Sequence, residues 1–79
     1  MIKLDALGNE IIFGRLYGYS TDQNGITEIN IGTVESITPK GYITILLKRR
    51  ISQYTTTGER HENLLEKRTF VKPIKLFPL

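Results

Sequence analysis

Residues 32–47, GTVESITPKGYITILL, decide the fold. Val34 and Ile37 precede a Thr-Pro-Lys-Gly segment at 38–41, and apolar residues alternate with others after it, at 43, 45 and 47. Proline presets φ at about −65° for the second position of a turn, and glycine tolerates positive φ. The stretch therefore predicts a β-hairpin with its turn at 38–41. Because two strands alone are marginally stable in water, other segments must pack around this hairpin.

The segments on both sides also have strand-like composition. Residues 11–19 are β-branched and aromatic, with glycines that indicate bends, and residues 26–37 alternate until a phase change that predicts a bulge at Gly32. The polar run at 20–25, STDQNG, predicts an exposed loop.

The last third of the chain predicts a second hairpin and a final strand. Residues 53–56 and 59–62 flank a Thr-Gly turn at 57–58, residues 63–67 are typical of one helical turn, and residues 69–76 form the last strand, which Pro73 limits to an edge or interrupts. We therefore predict an all-β class: a single domain over 1–79, folded as a small five-stranded SH3-like antiparallel barrel with at most one short helical turn near 63–67.

Several function classes lack the residues they require. The 79 residues contain no cysteine and a single histidine, His61, so we expect neither a disulfide nor a metal site, and no cofactor. The sequence contains no glycine-rich phosphate loop, no HExxH motif and no paired carboxylates at a diagnostic spacing, so we expect no catalytic residue and no enzymatic activity. No segment approaches the roughly 18 to 20 apolar residues of a membrane span, and we expect a cytoplasmic protein.

Charge is unevenly distributed along the chain. Residues 1–47 contain three bases and five acids, a net charge of −2, whereas residues 48–79 contain eight bases and three acids, a net charge of +5. A positive field over one part of the surface suits an anionic partner such as nucleic acid. The alternative is that the charge serves solubility alone.

One pattern resembles a known family. The run G-T-V-x-x-I-T-x-K-G-Y-I-T-I at 32–45, followed by basic residues, a Tyr-Thr pair and Gly58-Glu59, is similar to small uncharacterised phage and prophage proteins with an SH3-like or KOW-like barrel. The resemblance covers residues 30–60. It implies the barrel, and the host cytoplasm as location if the protein is phage-encoded, but it assigns no function and no catalytic residue.

Nucleic-acid binding is the first functional hypothesis, because cations neutralise phosphates and exposed aromatic rings stack on bases. The basic and aromatic residues that could make these contacts include Lys72, Lys75, Tyr42 and Phe70. For the two rings, Tyr42 and Phe70, core packing is the favoured role. For the triplet at 48–50, a charged strand end that resists aggregation is an equal alternative. The predicted nucleic-acid-binding residues are Lys48, Arg49, Arg50, Tyr54, Arg60, Lys67 and Arg68.

A protein-interaction or assembly module is the second hypothesis. Small barrels bind peptides in aromatic grooves or along unpaired strand edges, and a phage-encoded adaptor, host-factor inhibitor or particle component would act in this way. Tyr17, Tyr19 and Phe77 are the candidate partner-binding residues, and Tyr17 and Tyr19 are expected to be exposed. The apolar segment at 74–79 is expected either to be tucked into the barrel or to be buried against another chain, as in a homo-oligomer.

Overall fold

Five antiparallel strands form one sheet in the computed structural model, which describes residues 3–79, so the first two positions of the predicted domain lie outside the described residues. The sheet order is β4-β3-β2-β1-β5, and a single 3-10 turn, Pro73–Lys75, connects β4 to β5. The predicted all-β class with five antiparallel strands is confirmed. The sheet is open, because β4 and β5 at its two ends do not pair with each other. The strands are β1 Leu16–Gln23, β2 Ile26–Ile37, β3 Ile43–Tyr54, β4 Arg60–Val71 and β5 Phe77–Pro78.

The central hairpin has the predicted turn. The Gly41 N–H donates to the Thr38 carbonyl at 2.9 Å, and the Thr38 N–H donates to the Tyr42 carbonyl at 2.8 Å. Gly41 has φ of 89°, the left-handed conformation that favours glycine. Pro39 and Gly41 therefore have the turn positions that their backbone preferences predict.

Pairing between β2 and β3 shifts register at two points, between Ile31 and Gly32 and between Val34 and Ser36. The predicted irregularity at Gly32 is confirmed. The β3 backbone passes so close to Gly32 that an added Cβ would lie 2.8 Å from the Leu46 carbonyl carbon and 2.9 Å from the Leu47 Cα. Bulges bend a strand and increase its twist, so these two shifts curve the sheet around its core.

The core occupies the end of the sheet near the 38–41 turn. The first half of β3 and its neighbour Val34 provide the centre, and the N-terminal segment, β1, β4 and the segment after the 3-10 turn close over it. The buried apolar residues are Ile11, Tyr17, Val34, Ile43, Ile45, Leu47, Val71 and Leu76.

The opposite end of the sheet extends away from this core, and the molecule measures 43 × 23 × 21 Å. Its two hairpin tips are joined, because both the N–H and the hydroxyl of Thr55 donate to the Gly25 carbonyl at 2.9 Å. Strands with few buried side chains are thus linked through backbone and hydroxyl hydrogen bonds.

The predicted loop at 20–25 is wrong. Strand β1 continues to Gln23, and only Asn24 and Gly25, with φ of 51° and 77°, form the turn to β2. Positive φ at both central residues matches the twist of a tight antiparallel hairpin. The polar side chains at 20–23 are exposed, but the backbone of these residues is paired with β2.

The predicted helical turn at 63–67 is also wrong, because these residues lie inside β4. Strand β3 supplies their backbone partners, and an isolated turn has too few hydrogen bonds to compete. The last strand, predicted at 69–76, ends instead at Val71, since Pro73 starts the 3-10 turn. Strand β1 begins at Leu16 rather than at residue 11.

Replacing Gly32 by alanine should therefore be strongly destabilising. We expect the free energy of unfolding to fall by roughly 2–3 kcal/mol, because the added methyl group overlaps backbone atoms that cannot move without breaking the β2–β3 pairing. Denaturant unfolding followed by circular dichroism measures the change. Gly18→Ala is the matched control: its Cβ would lie 3.5 Å from a Leu79 methyl group, so a change within about 0.5 kcal/mol is expected. Equal losses in the two variants would contradict this account of Gly32.

Candidate functional site

Two of the predicted nucleic-acid-binding bases pair with carboxylates across β3 and β4. The Lys48 ammonium lies 3.2 Å from the Glu66 carboxylate, and the Arg49 Nε donates to Glu62 at 2.6 Å. All four side chains are exposed to solvent to a substantial degree. Each of these two cations is therefore neutralised by an acid on the neighbouring strand.

Arg50 and Arg68 pair with acids from the N-terminal half. The Arg68 Nε donates to Glu35 at 2.8 Å, and this hydrogen bond, with the attraction between the charges, raises the pKa of Arg68. The Arg50 Nε lies 3.4 Å from the Glu28 carboxylate. Antiparallel pairing of β2 with β3 and β3 with β4 thus mixes the acidic and basic halves, and the charge segregation seen along the chain is largely lost in space.

Arg60, Lys67 and Tyr54 have a different environment. Arg60 and Lys67 are exposed on β4 and make no ion pair within residues 3–79. Tyr54 is half-buried and packs edge to face with the exposed His61, with ring centroids 5.8 Å apart. These bases lie on β4, apart from the cavities described below, and their role in binding stays a prediction.

The prediction that Tyr17, a candidate partner-binding residue, is exposed is wrong. Its side chain is 1% exposed in the core, and its hydroxyl accepts a hydrogen bond from the Ile12 N–H at 2.9 Å, so it is not an exposed residue. Tyr19 is half-buried, and Phe77, in β5, is 47% exposed. Tyr17 lies opposite Gly32 in the β1–β2 pairing and its ring belongs to the hydrophobic core, so its burial arises from tertiary packing.

Tyr19 borders a buried polar group. It lies opposite Asn30, which is 3% exposed and lies opposite Arg50, and the Arg50 Nε donates to the Asn30 Oδ1 at 2.8 Å. Burial raises the pKa of Tyr19; the Arg50 charge opposes this shift and the Glu28 charge adds to it. This cluster gives the buried side chain of Asn30 a hydrogen-bond partner at the boundary between the core and the extended half of the sheet.

A groove next to the central turn contains two exposed aromatic rings. Tyr42 is 40% exposed and Phe70 is 67% exposed, so the expectation that these rings pack in the core is wrong. With Thr38, Pro39 and Lys40 they line a cavity of about 510 Å³. The same two rings also line a second cavity of about 370 Å³, together with Tyr19 and Thr21 of β1 and residues 71, 72 and 75. We call the two cavities, which share these rings as lining, the aromatic groove.

Lysines surround the aromatic groove. Lys40 lines its first cavity, Lys72 and Lys75 line its second, and Lys3 lines a third cavity of about 250 Å³ that shares residues 38–40 with the first. None of the four makes an ion pair within residues 3–79, and no carboxylate lines any of the three cavities. This end of the molecule is thus positive without local compensation.

Sequence reasoning identified this site only in part. The basic and aromatic set predicted from the sequence includes Lys72, Lys75, Tyr42 and Phe70, but it does not include Lys40, which the sequence places in a turn, or Lys3. The signal that was available is the turn itself, since Lys40 and Tyr42 directly flank Gly41. No pattern in the sequence predicts that β1 approaches the end of β4.

Other classes of site are not formed by the described residues. In residues 3–79 no group of three or more potential metal-ligating side chains lies close together, and this part of the chain has no helix that is long and apolar enough to cross a bilayer. Comparison of the chain with family models, curated proteins and solved structures gave no match.

The raised pKa of Tyr19 predicts a loss of stability at alkaline pH. Burial favours the neutral phenol, so the unfolded chain releases this proton first as the pH passes the ordinary value of 10.0, and the folded state becomes less favoured until its own, higher pKa is reached. Unfolding midpoints at about pH 9 and pH 11 should therefore fall more in the wild type than in Tyr19→Phe. Phenolate absorbance, wild type minus variant, gives the pKa directly. A Tyr19 titration at or below 10.0 would contradict this assignment.

Proposed function

We propose that this protein is a non-enzymatic basic domain that binds nucleic acid at the aromatic groove. The supporting observation is the coincidence of four lysines without ion pairs, two exposed aromatic rings and no lining carboxylate at one end of the sheet. Cations that neutralise phosphates release condensed counterions, and this release provides most of the affinity of sequence-independent binding.

The ion-paired bases are weaker candidates for the same role. Arg49 and Arg68 each already donate a hydrogen bond to a carboxylate, and the negative charge of that carboxylate repels an approaching phosphate. A neutral pair also attracts a polyanion far less from a distance than an uncompensated lysine does. We therefore place the main phosphate contacts at Lys40, Lys72 and Lys75 rather than on the β3–β4 surface.

An SH3-like bend of the sheet is part of this proposal. Tyr19 and Thr21 of β1 line the same cavity as Phe70 and Val71 of β4, although β2 and β3 lie between these strands in the sheet. Such an approach requires a strongly curved sheet, as in small barrels.

A protein-binding role at the same groove is the second candidate. Thr38, Pro39, Tyr42 and Phe70 give the first cavity a mainly apolar wall, which suits an extended peptide with an apolar side chain and acidic neighbours. The two candidates differ in how salt affects binding, since a peptide held by apolar contacts is much less sensitive to ionic strength.

Neutralising the groove lysines should weaken nucleic-acid binding and its salt dependence together. For Lys72→Gln/Lys75→Gln we expect roughly a tenfold or greater loss of affinity for a fluorescent oligonucleotide, and a reduction of the salt slope by about 0.7 per lysine for a single strand. Fluorescence anisotropy titrations between about 50 and 200 mM salt measure both quantities.

The matched control is Arg60→Gln/Lys67→Gln, which removes two unpaired, exposed bases outside the groove. It should change affinity by less than about threefold, with the residual effect arising from net charge. Equal losses in the two double variants would place binding on the general surface instead of the groove. Absence of binding at the lower salt concentration would contradict the nucleic-acid role and favour the peptide.

A further inference from the structure

We infer that the groove binds single-stranded nucleic acid in preference to duplex, with an unpaired base stacked on Phe70 or Tyr42; the inference rests on the function proposed above. Phe70 is a large apolar side chain with two thirds of its surface in contact with solvent, at a point where the sheet has a core on its other side. Its neighbour Val71 is 6% exposed. Successive side chains of a strand point to opposite faces, so Phe70 is exposed on the face of β4 that is turned away from the core.

The faces of the two rings are available to a ligand. Within residues 3–79 the paired aromatic rings are Tyr54 and His61, and Tyr42 and Phe70 are not stacked on each other. Both instead border the same two cavities. Stacking on aromatic side chains is tolerant of sequence, because every base presents a π-face.

The stacking contact selects against duplex. Bases in a duplex are stacked inside the helix, so they cannot stack on the rings that border the two cavities without being unpaired. A single strand can turn its bases into the groove at little cost. A duplex would be limited to phosphate contacts with the surrounding lysines.

Lysines line both of the cavities that the rings border. Lys40 shares the first cavity with Tyr42 and Phe70, and Lys72 and Lys75 share the second cavity with the same rings. A strand whose base stacks on Phe70 therefore has unpaired cations in the same cavities for its phosphate groups. This arrangement combines the two contacts that sequence-tolerant single-strand binding uses, backbone neutralisation and base stacking.

The test uses Phe70→Leu, with Phe13→Leu as the matched control, because Phe13 is also an exposed aromatic, at 51%, but lies outside the groove. The probes are labelled oligothymidine of about 12 nucleotides, an abasic strand of the same length, and a duplex of the same length. The abasic strand keeps the phosphates and removes the bases, so it separates stacking from charge. Circular dichroism and unfolding midpoints confirm that the variants are folded.

We expect the wild type to bind oligothymidine about tenfold or more tightly than the abasic strand or the duplex. Phe70→Leu should remove most of this preference, leave binding of the abasic strand within about twofold and leave the salt slope unchanged, while Phe13→Leu should have no effect. Equal affinity for the three probes, or equal losses on oligothymidine and the abasic strand in Phe70→Leu, would overturn the single-strand inference. In either case a groove-specific loss in the lysine variant would still support the proposed function, whereas absence of binding to all three probes would remove both.

Discussion

The close approach of two backbones at Gly32 is the constraint on which the rest of the structure depends. Here β2 passes Leu46 and Leu47 of β3 with no space for a side chain, and the register shifts by one residue beside it. On its other side Gly32 pairs with Tyr17 of β1, whose ring is part of the core. The bend that follows brings the core residues of β3 under the N-terminal segment and the 3-10 turn, and it brings β1 near the end of β4, where the aromatic groove lies.

Strand pairing also determines which parts of the surface have a net positive charge. Glu28 and Glu35 of β2 are distant in sequence from Arg50 and Arg68, yet they form ion pairs with them. Exposed pairs of this kind contribute little to stability, but they cancel the field of bases that look prominent in the sequence. The excess positive charge around the groove comes from lysines in turns and termini, which have no carboxylate opposite them in a strand ladder.

Rigid turns border the groove. Pro39 and Gly41 fix one side through the hydrogen bonds of the 38–41 turn, and Pro73 begins the 3-10 turn whose Lys75 N–H donates to the Lys72 carbonyl at 3.0 Å. Hydrogen bonds and prolines therefore restrict the backbone that carries Lys40, Lys72 and Lys75. Restriction of this kind reduces the entropy lost on binding, which favours the role proposed for the groove.

The sequence by itself determined the all-β class, the turn at 38–41 and the irregularity at Gly32, because proline, glycine and apolar alternation act on the local backbone. It also predicted part of the aromatic groove, namely Lys72, Lys75, Tyr42 and Phe70, but not Lys40 or Lys3. Only the tertiary structure decided that residues 63–67 are a strand, since β3 supplies their hydrogen bonds, and that Tyr17 is buried while Phe70 is exposed. The sequence does not predict the ion pairs either. Which acid faces which base depends on strand register and curvature, and these arise from contacts between residues far apart in the chain.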